Sequence, residues 1–143
     1  MLSFFRRFSP ALSGATLLAL ACASASAATV EVRVTGVKAG KGKVAVAVCD
    51  KATFLKDCKY SAKVAAREGE TVVTVKDVPT GTWAVLSYQD ENENGQLDRN
   101  LVGMPKESYG FSRDARGMFG PPSFEEAAFA VTGETANAAI KLQ

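Results

Sequence analysis

Valine recurs at every second position in three separate stretches of this chain, and that rhythm restricts it to a fold built from half-buried strands. In TVEVRVTGV, Val30, Val32 and Val34 share one face while Glu31, Arg33 and Thr35 share the other. KVAVAVC repeats the pattern with Val44, Val46 and Val48, and ETVVTVKDV with Val73 and Val75. A helix would scatter these side chains around its circumference, because its period is 3.6 and not 2. The Gly40-Lys41-Gly42 turn between the first two stretches predicts an antiparallel hairpin.

The alternation breaks over Asp50 to Tyr60, which reads as a connecting loop, and AKVAAR resumes a short extended segment. Pro79-Thr80-Gly81 is a turn into TWAVLSYQD, where Trp83, Val85 and Ser87 share one face and Ala84, Leu86 and Tyr88 the other. Apolar groups on both faces predict a central strand. AAFAVTG and TANAAIKLQ supply two last strands around Gly133-Glu134. About seven short strands with turns between them predict an all-β fold, an antiparallel β-sandwich of Greek-key or prealbumin-like type.

From Arg99 to Phe124 no period is visible, yet the stretch holds Tyr109, Phe111, Phe119 and Phe124. Disordered segments are poor in aromatics, so an ordered loop is expected, either closing over a small satellite core or lining a ligand groove. Ser123 and Glu126, after Pro121-Pro122, have capping-box spacing and predict one short helical turn.

The chain opens with Arg6 and Arg7, continues through about a dozen apolar residues and ends the segment on Ala25-Ser26-Ala27, the pattern of a secretory signal peptide. Residues 1–27 are therefore assigned to the signal peptide and 28–143 to a single domain, periplasmic or secreted, with no transmembrane anchor after processing. Ala19-Leu20-Ala21 before Cys22 departs from the box that precedes a lipidated cysteine. Cleavage removes two of 17 basic residues and none of 15 acidic ones, leaving no net charge. Charge thus gives no reason to expect nucleic acid as a partner. Export leaves Cys49 and Cys58 as an even pair in an oxidising compartment, and a disulfide is expected, stabilising by roughly 2–3 kcal/mol.

The chain has no histidine, which excludes histidine-dependent triads, HExxH zinc sites and histidine pH switches. The sharpest chemical signal is Asp90-Glu91-Asn92-Glu93-Asn94-Gly95-Gln96-Leu97-Asp98. Counted from Asp90, oxygen side chains fall at positions 1, 3, 5 and 9 of a calcium loop (Asp90, Asn92, Asn94, Asp98), with Gly95 at position 6 and the Gln96 carbonyl at 7. A hard cation needs six or more oxygens at about 2.4 Å, and alternate side chains supply them where a glycine lets the backbone turn sharply. Leu101 stands where an EF-hand has its bidentate glutamate, and the loop follows a strand, so this is no EF-hand. Asp114, Glu125 or Glu126 is available as a further carboxylate if the long loop folds back. The competing reading of Asn94-Gly95 is a plain hairpin turn held by Asx hydrogen bonds.

A carboxylate pair among Asp90, Asp98, Glu125 and Glu126 is the basis for an alternative reading as an envelope hydrolase acting on a polysaccharide or ester. Trp83, Tyr88 and Tyr109 suit either a sugar-stacking platform or core packing with a hydrogen-bonded tip. Lys106, Arg113 and Arg116 read as a solvated face.

The block GTWAVLSYQDENENGQLDRNLVGMPKESYGFSRDARGMFGPPSFEEAAFAV resembles a secreted bacterial family known as domain of unknown function 2141. Its members carry a GTYAV-like strand, a DENGNGKLD-like acidic loop, a GIPKEGYGFS-like segment and an FGPPSFEDA-like segment. The resemblance implies export and a small β-sandwich, and it supplies no catalytic residues. The sequence as a whole leads to an exported, non-catalytic module in which Ca²⁺ at the acidic loop orders residues 99–124 as an interaction surface for an envelope or extracellular protein or glycan.

Overall fold

A computed structural model describes residues 26–143. Residues 1–25, which hold Cys22 and most of the segment read as a signal peptide, lie outside the described residues. Eight strands form two packed sheets: β1 (Ala27–Val37), β2 (Lys43–Cys49), β3 (Tyr60–Ala65), β4 (Gly69–Pro79), β5 (Gly81–Asp90), β6 (Tyr109–Phe111), β7 (Phe129–Val131) and β8 (Thr135–Lys141). The smaller sheet has the order β4-β1-β8, and the larger runs β3-β2-β5-β6 with β7 also on β5. This is the all-β sandwich that the valine rhythm requires, with one strand more than expected. The extra strand, β6, is three residues long and sits inside the stretch that shows no period.

The shared core is made by the inward faces: Val30, Val32 and Val34 of β1 and Val73 and Val75 of β4 meet Val44, Val46 and Val48 of β2 and Val85 of β5. Trp83 belongs to it, its indole N–H donating to the Pro79 carbonyl at 2.8 Å and its ring edge-on to Tyr60. That is the core-packing alternative with a satisfied polar tip.

The expected β1–β2 hairpin does not form. β1 pairs with β4 antiparallel and with β8 parallel, while β2 pairs with β3 and β5. The two valine faces look at each other across the core instead of lying side by side, and alternation is identical in the two arrangements. The crossing is set by Gln89, fully buried at the end of β5. Its side-chain carbonyl accepts from Lys38 N–H at 2.8 Å, and its amide N–H groups donate to the Lys38 and Lys41 carbonyls at 2.7 Å each. Gly42, in the left-handed region, lies so close to the Asp90 carbonyl that a methyl there would overlap it.

β6 and β7 share one edge of β5, opposite Leu86–Tyr88 and Gly81–Trp83 respectively. Ser112 plugs the gap between them: its buried hydroxyl accepts from Val85 N–H at 2.9 Å and donates to the Ala127 carbonyl at 2.6 Å. On its other edge β6 is joined to the chain end, Tyr109 N–H donating to the Gln143 carbonyl and Gln143 N–H to the Tyr109 carbonyl.

The outward face of the larger sheet is half covered. Cys49 and Cys58 are disulfide-bonded and hold the 50–58 loop, whose Phe54 packs on Phe111 and Phe124 at centroid distances of 6.0 and 5.7 Å. Phe124 opens α1 (Phe124–Ala127), capped as the sequence predicts: Glu126 N–H donates to Ser123 Oγ, and Ser123 N–H to the Glu126 carboxylate. The aromatics Phe111 and Phe124 thus close a satellite core, whereas Phe119 is fully exposed.

Candidate functional site: the acidic loop and the groove beside it

β5 ends on Asp90, whose side chain is buried and turned back into the loop that follows. Asn94 N–H donates to one Asp90 carboxylate oxygen at 3.1 Å and Gly95 N–H to the other at 2.7 Å. Glu93 and Gly95 both have positive φ (58° and 81°), so the backbone doubles back where glycine was expected to act as pivot. The amides of Asn92 and Asn94 donate to the two oxygens of Asp98 at 2.6 and 2.8 Å, and Gln96 N–H donates to Asn94 Oδ1 at 2.9 Å. Asp90, Asn92, Asn94 and Asp98 are therefore linked side chain to side chain or through Asn94 in one small turn. Among the described residues, no three acidic or thiol groups cluster closely enough to hold an ion by themselves.

None of the three carboxylates foreseen as returning to this loop does so. Asp114 accepts from Lys141 N–H at 2.8 Å, Glu126 is engaged in the α1 cap, and Glu125 is ion-paired with Lys51. Lys51 follows Cys49, which pairs with Ala84, whereas Asp98 lies beyond Asp90. Ala84 and Asp90 are six residues apart, about 20 Å along β5. Asp90 and Asp98 share the acidic turn, whereas Glu125 and Glu126 are held by Lys51 and by the α1 cap.

A carboxylate that the sequence did not single out does reach the loop. Glu107 is 7% exposed, and its two oxygens accept from Glu91 N–H at 2.9 Å and Asp98 N–H at 3.0 Å, one at each end of the turn. It clamps the loop from behind. Nothing in residue spacing marks Glu107, because it sits in an aperiodic segment 16 residues from one partner and nine from the other. Burial, and after it the charges of Asp90 and Glu107, hold the Tyr88 phenol above its ordinary pKa. Lys38 does the opposite for Glu91, its ammonium hydrogen-bonding the carboxylate at 2.7 Å and holding it below the usual range.

Past Asp98 the chain forms a tight excursion closed by the Arg99–Pro105 bridge and by Asn100, whose side chain accepts from Val102 and Met104 N–H groups. This excursion walls a groove of about 950 Å³ on the outward face of the larger sheet. The floor is Leu86, Tyr88, Tyr109 and Phe111, and the facing wall is the 117–121 segment with Met118 and Phe119. Leu101, Val102, Met104, Met118 and Phe119 are all exposed, as is Leu55 at the groove's margin. Of these, Leu55, Met104, Met118 and Phe119 line the groove, whereas Leu101 and Val102 stand at the tip of the excursion outside its lining. Single exposed apolar residues are ordinary, but a concentration of them beside a concave surface marks a site of interaction.

The molecule is thus an all-β sandwich that bears one apolar groove next to a self-closed acidic turn, and among its described residues no helix is long and apolar enough to cross a membrane. A family model described as "uncharacterized protein conserved in bacteria (DUF2141)" matches residues 32–139, and the chain belongs to that family. No curated protein and no solved structure matches it.

Proposed function

We propose that this chain is an exported, non-catalytic binding module of the bacterial cell envelope, with the groove between the 99–105 and 117–121 segments as its interaction surface and Ca²⁺ at the acidic loop as the stabiliser of that surface. The observation that carries the reading is the set of exposed apolar side chains, Leu55, Met104, Met118 and Phe119, around a concave floor. A chain that leaves Met104, Met118 and Phe119 in water gives up burial worth about 1.5–3 kcal/mol per side chain, a cost that a binding role recovers.

Support for the ion comes from continuity. Asp98, the ninth position of the calcium pattern, is followed directly by the groove wall, so whatever fixes the loop fixes the wall. Two carboxylates and two amides make a weak site, in the range of 10⁻⁴–10⁻³ M for extracellular modules. The Asn92 and Asn94 amides, now donating to Asp98, turn their oxygens inward when a cation replaces those contacts.

The test is a thermal melt in about 10 mM Ca²⁺ against chelator, with Mg²⁺ as a control. At ten to a hundred times its dissociation constant the ion adds roughly 1.4–2.7 kcal/mol, a rise of several degrees that Asp98→Asn reduces. An unchanged midpoint with no heat in calorimetry removes the ion from the reading.

A further inference from the structure

We infer that the groove takes a single-chain anionic amphiphile, its acyl chain lying on Leu86, Tyr88, Tyr109 and Phe111 and its acidic head meeting Lys56 or Arg99. The inference rests on the reading of the groove as the binding surface and names the class of ligand it accepts. Charge selects the head. Among the described residues, the only charged side chains in the groove lining are Lys56 and Arg99, both cationic, and no Asp or Glu lines it. Neither cation is ion-paired with a carboxylate among the described residues; Arg99 spends one N–H on the Gly103 carbonyl at 2.9 Å and keeps its other donors.

Hydrogen-bond accounting selects the tail over a peptide. An extended peptide binds by adding a strand to a free sheet edge. The outer edge of β6 is already paired with Gln143 at Tyr109, in both directions. Ser87 and Gly110, which line the floor with backbone, are already paired with each other across β5 and β6, and the Ser87 hydroxyl is buried and donates to the Ala45 carbonyl at 3.0 Å. A peptide laid there would bury amide groups without partners, a loss that a polymethylene chain does not incur. Met104 and Met118 in the two walls are unbranched and adapt to a chain of variable shape. The volume, about 950 Å³, is at the upper end of the range that small-molecule clefts occupy.

The experiment follows the fluorescence of Nile red, an uncharged dye, with the purified protein, then its displacement by hexadecanoate, dodecanoate and hexadecanol below their aggregation limits. Nile red binds saturably, and Phe119→Ser combined with Met118→Ser weakens it severalfold without moving the thermal midpoint, since both side chains are at least 90% exposed. Hexadecanoate displaces the dye, dodecanoate needs at least tenfold more, and hexadecanol is the weaker of the two long chains by roughly three- to tenfold. Lys56→Gln with Arg99→Gln erases that preference for the acid and leaves hexadecanol unchanged. If the dye binds and the groove variants lose it, but acid and alcohol compete equally or not at all, the ligand class is wrong and the groove reading stands. Dye bound equally by the groove variants, or not bound, overturns both. Concentration-dependent dimerisation in sedimentation that Phe119→Ser abolishes makes a second copy the occupant and overturns the amphiphile.

Discussion

On the outside of the three-stranded sheet, Glu31, Arg33, Thr35, Glu70 and Thr74 face water and Arg33 bridges Glu31 and Glu70; no other described segment covers them. The outside of the larger sheet is apolar, with Ala45, Ala47, Ala84, Leu86 and Phe111, and the chain devotes the 50–58 loop, α1 and the segment between β5 and β7 to covering it. The cover stops halfway: Phe54 and Phe124 seal the end near Cys49, and beyond them the same face opens into the groove. The difference teaches where to look for function in a sandwich. A face that is polar from the start needs nothing further, whereas a face that is apolar and only partly covered is where a binding surface is to be sought.

The contrast breaks first at Phe54. If the satellite core is structural, Phe54→Ala opens a cavity under Phe111 and Phe124 and costs about 3 kcal/mol in denaturant unfolding. A loss below about 1 kcal/mol would instead mean that the 50–58 loop is held by its disulfide alone and that the two halves of this face differ less than they look.

Glu107 tests the other half. Glu107→Gln keeps the shape but offers one acceptor oxygen for two backbone donors, so either Glu91 N–H or Asp98 N–H faces an amide donor. The expected loss is roughly 1–3 kcal/mol, together with a weaker response to Ca²⁺ and weaker Nile red binding, because the acidic loop is continuous with the groove wall. Loss of stability with ion and dye responses intact would separate the loop from the groove and leave Glu107 as a structural clamp only.

How much of this was legible beforehand follows from which interactions repeat along the chain. The strands, the central position of β5, the cap of α1 and the Cys49–Cys58 pairing come from local rules acting over one to ten residues, and each left its mark in the sequence. The parallel β1–β8 pair and the crossing of β1 away from β2 did not, because alternation gives the face of a strand and not its neighbour. Gln89 left a faint signal: it is polar but in phase with Trp83, Val85 and Ser87, which is how a buried side chain that captures a turn would read. Ser112 and Glu107 left none, since each satisfies backbone groups far away in sequence from within an aperiodic stretch. The acidic loop was legible as a pattern of oxygens around Gly95, yet the groove beside it was not, because its floor comes from β5 and β6 and its walls from two segments that meet only in three dimensions.

The smallest effect belongs to the polar face, and it is the one that most sharpens the comparison. Arg33 donates to Glu31 at 2.9 Å and Glu70 at 3.2 Å, with its side chain about half exposed (53%) and those of its partners at 32% and 44%. Exposed ion pairs exchange protein contacts for water contacts of nearly equal worth and lose side-chain freedom in doing so, so Arg33→Ala should cost less than about 1 kcal/mol. In 1 M salt, where the screening length falls to about 3 Å, even that difference should shrink. The two carboxylates left behind repel weakly because water reaches both. A cost above 2 kcal/mol that survives high salt would mean that the bridge holds β1 to β4 as packing does elsewhere, and that the small sheet too relies on its outer face.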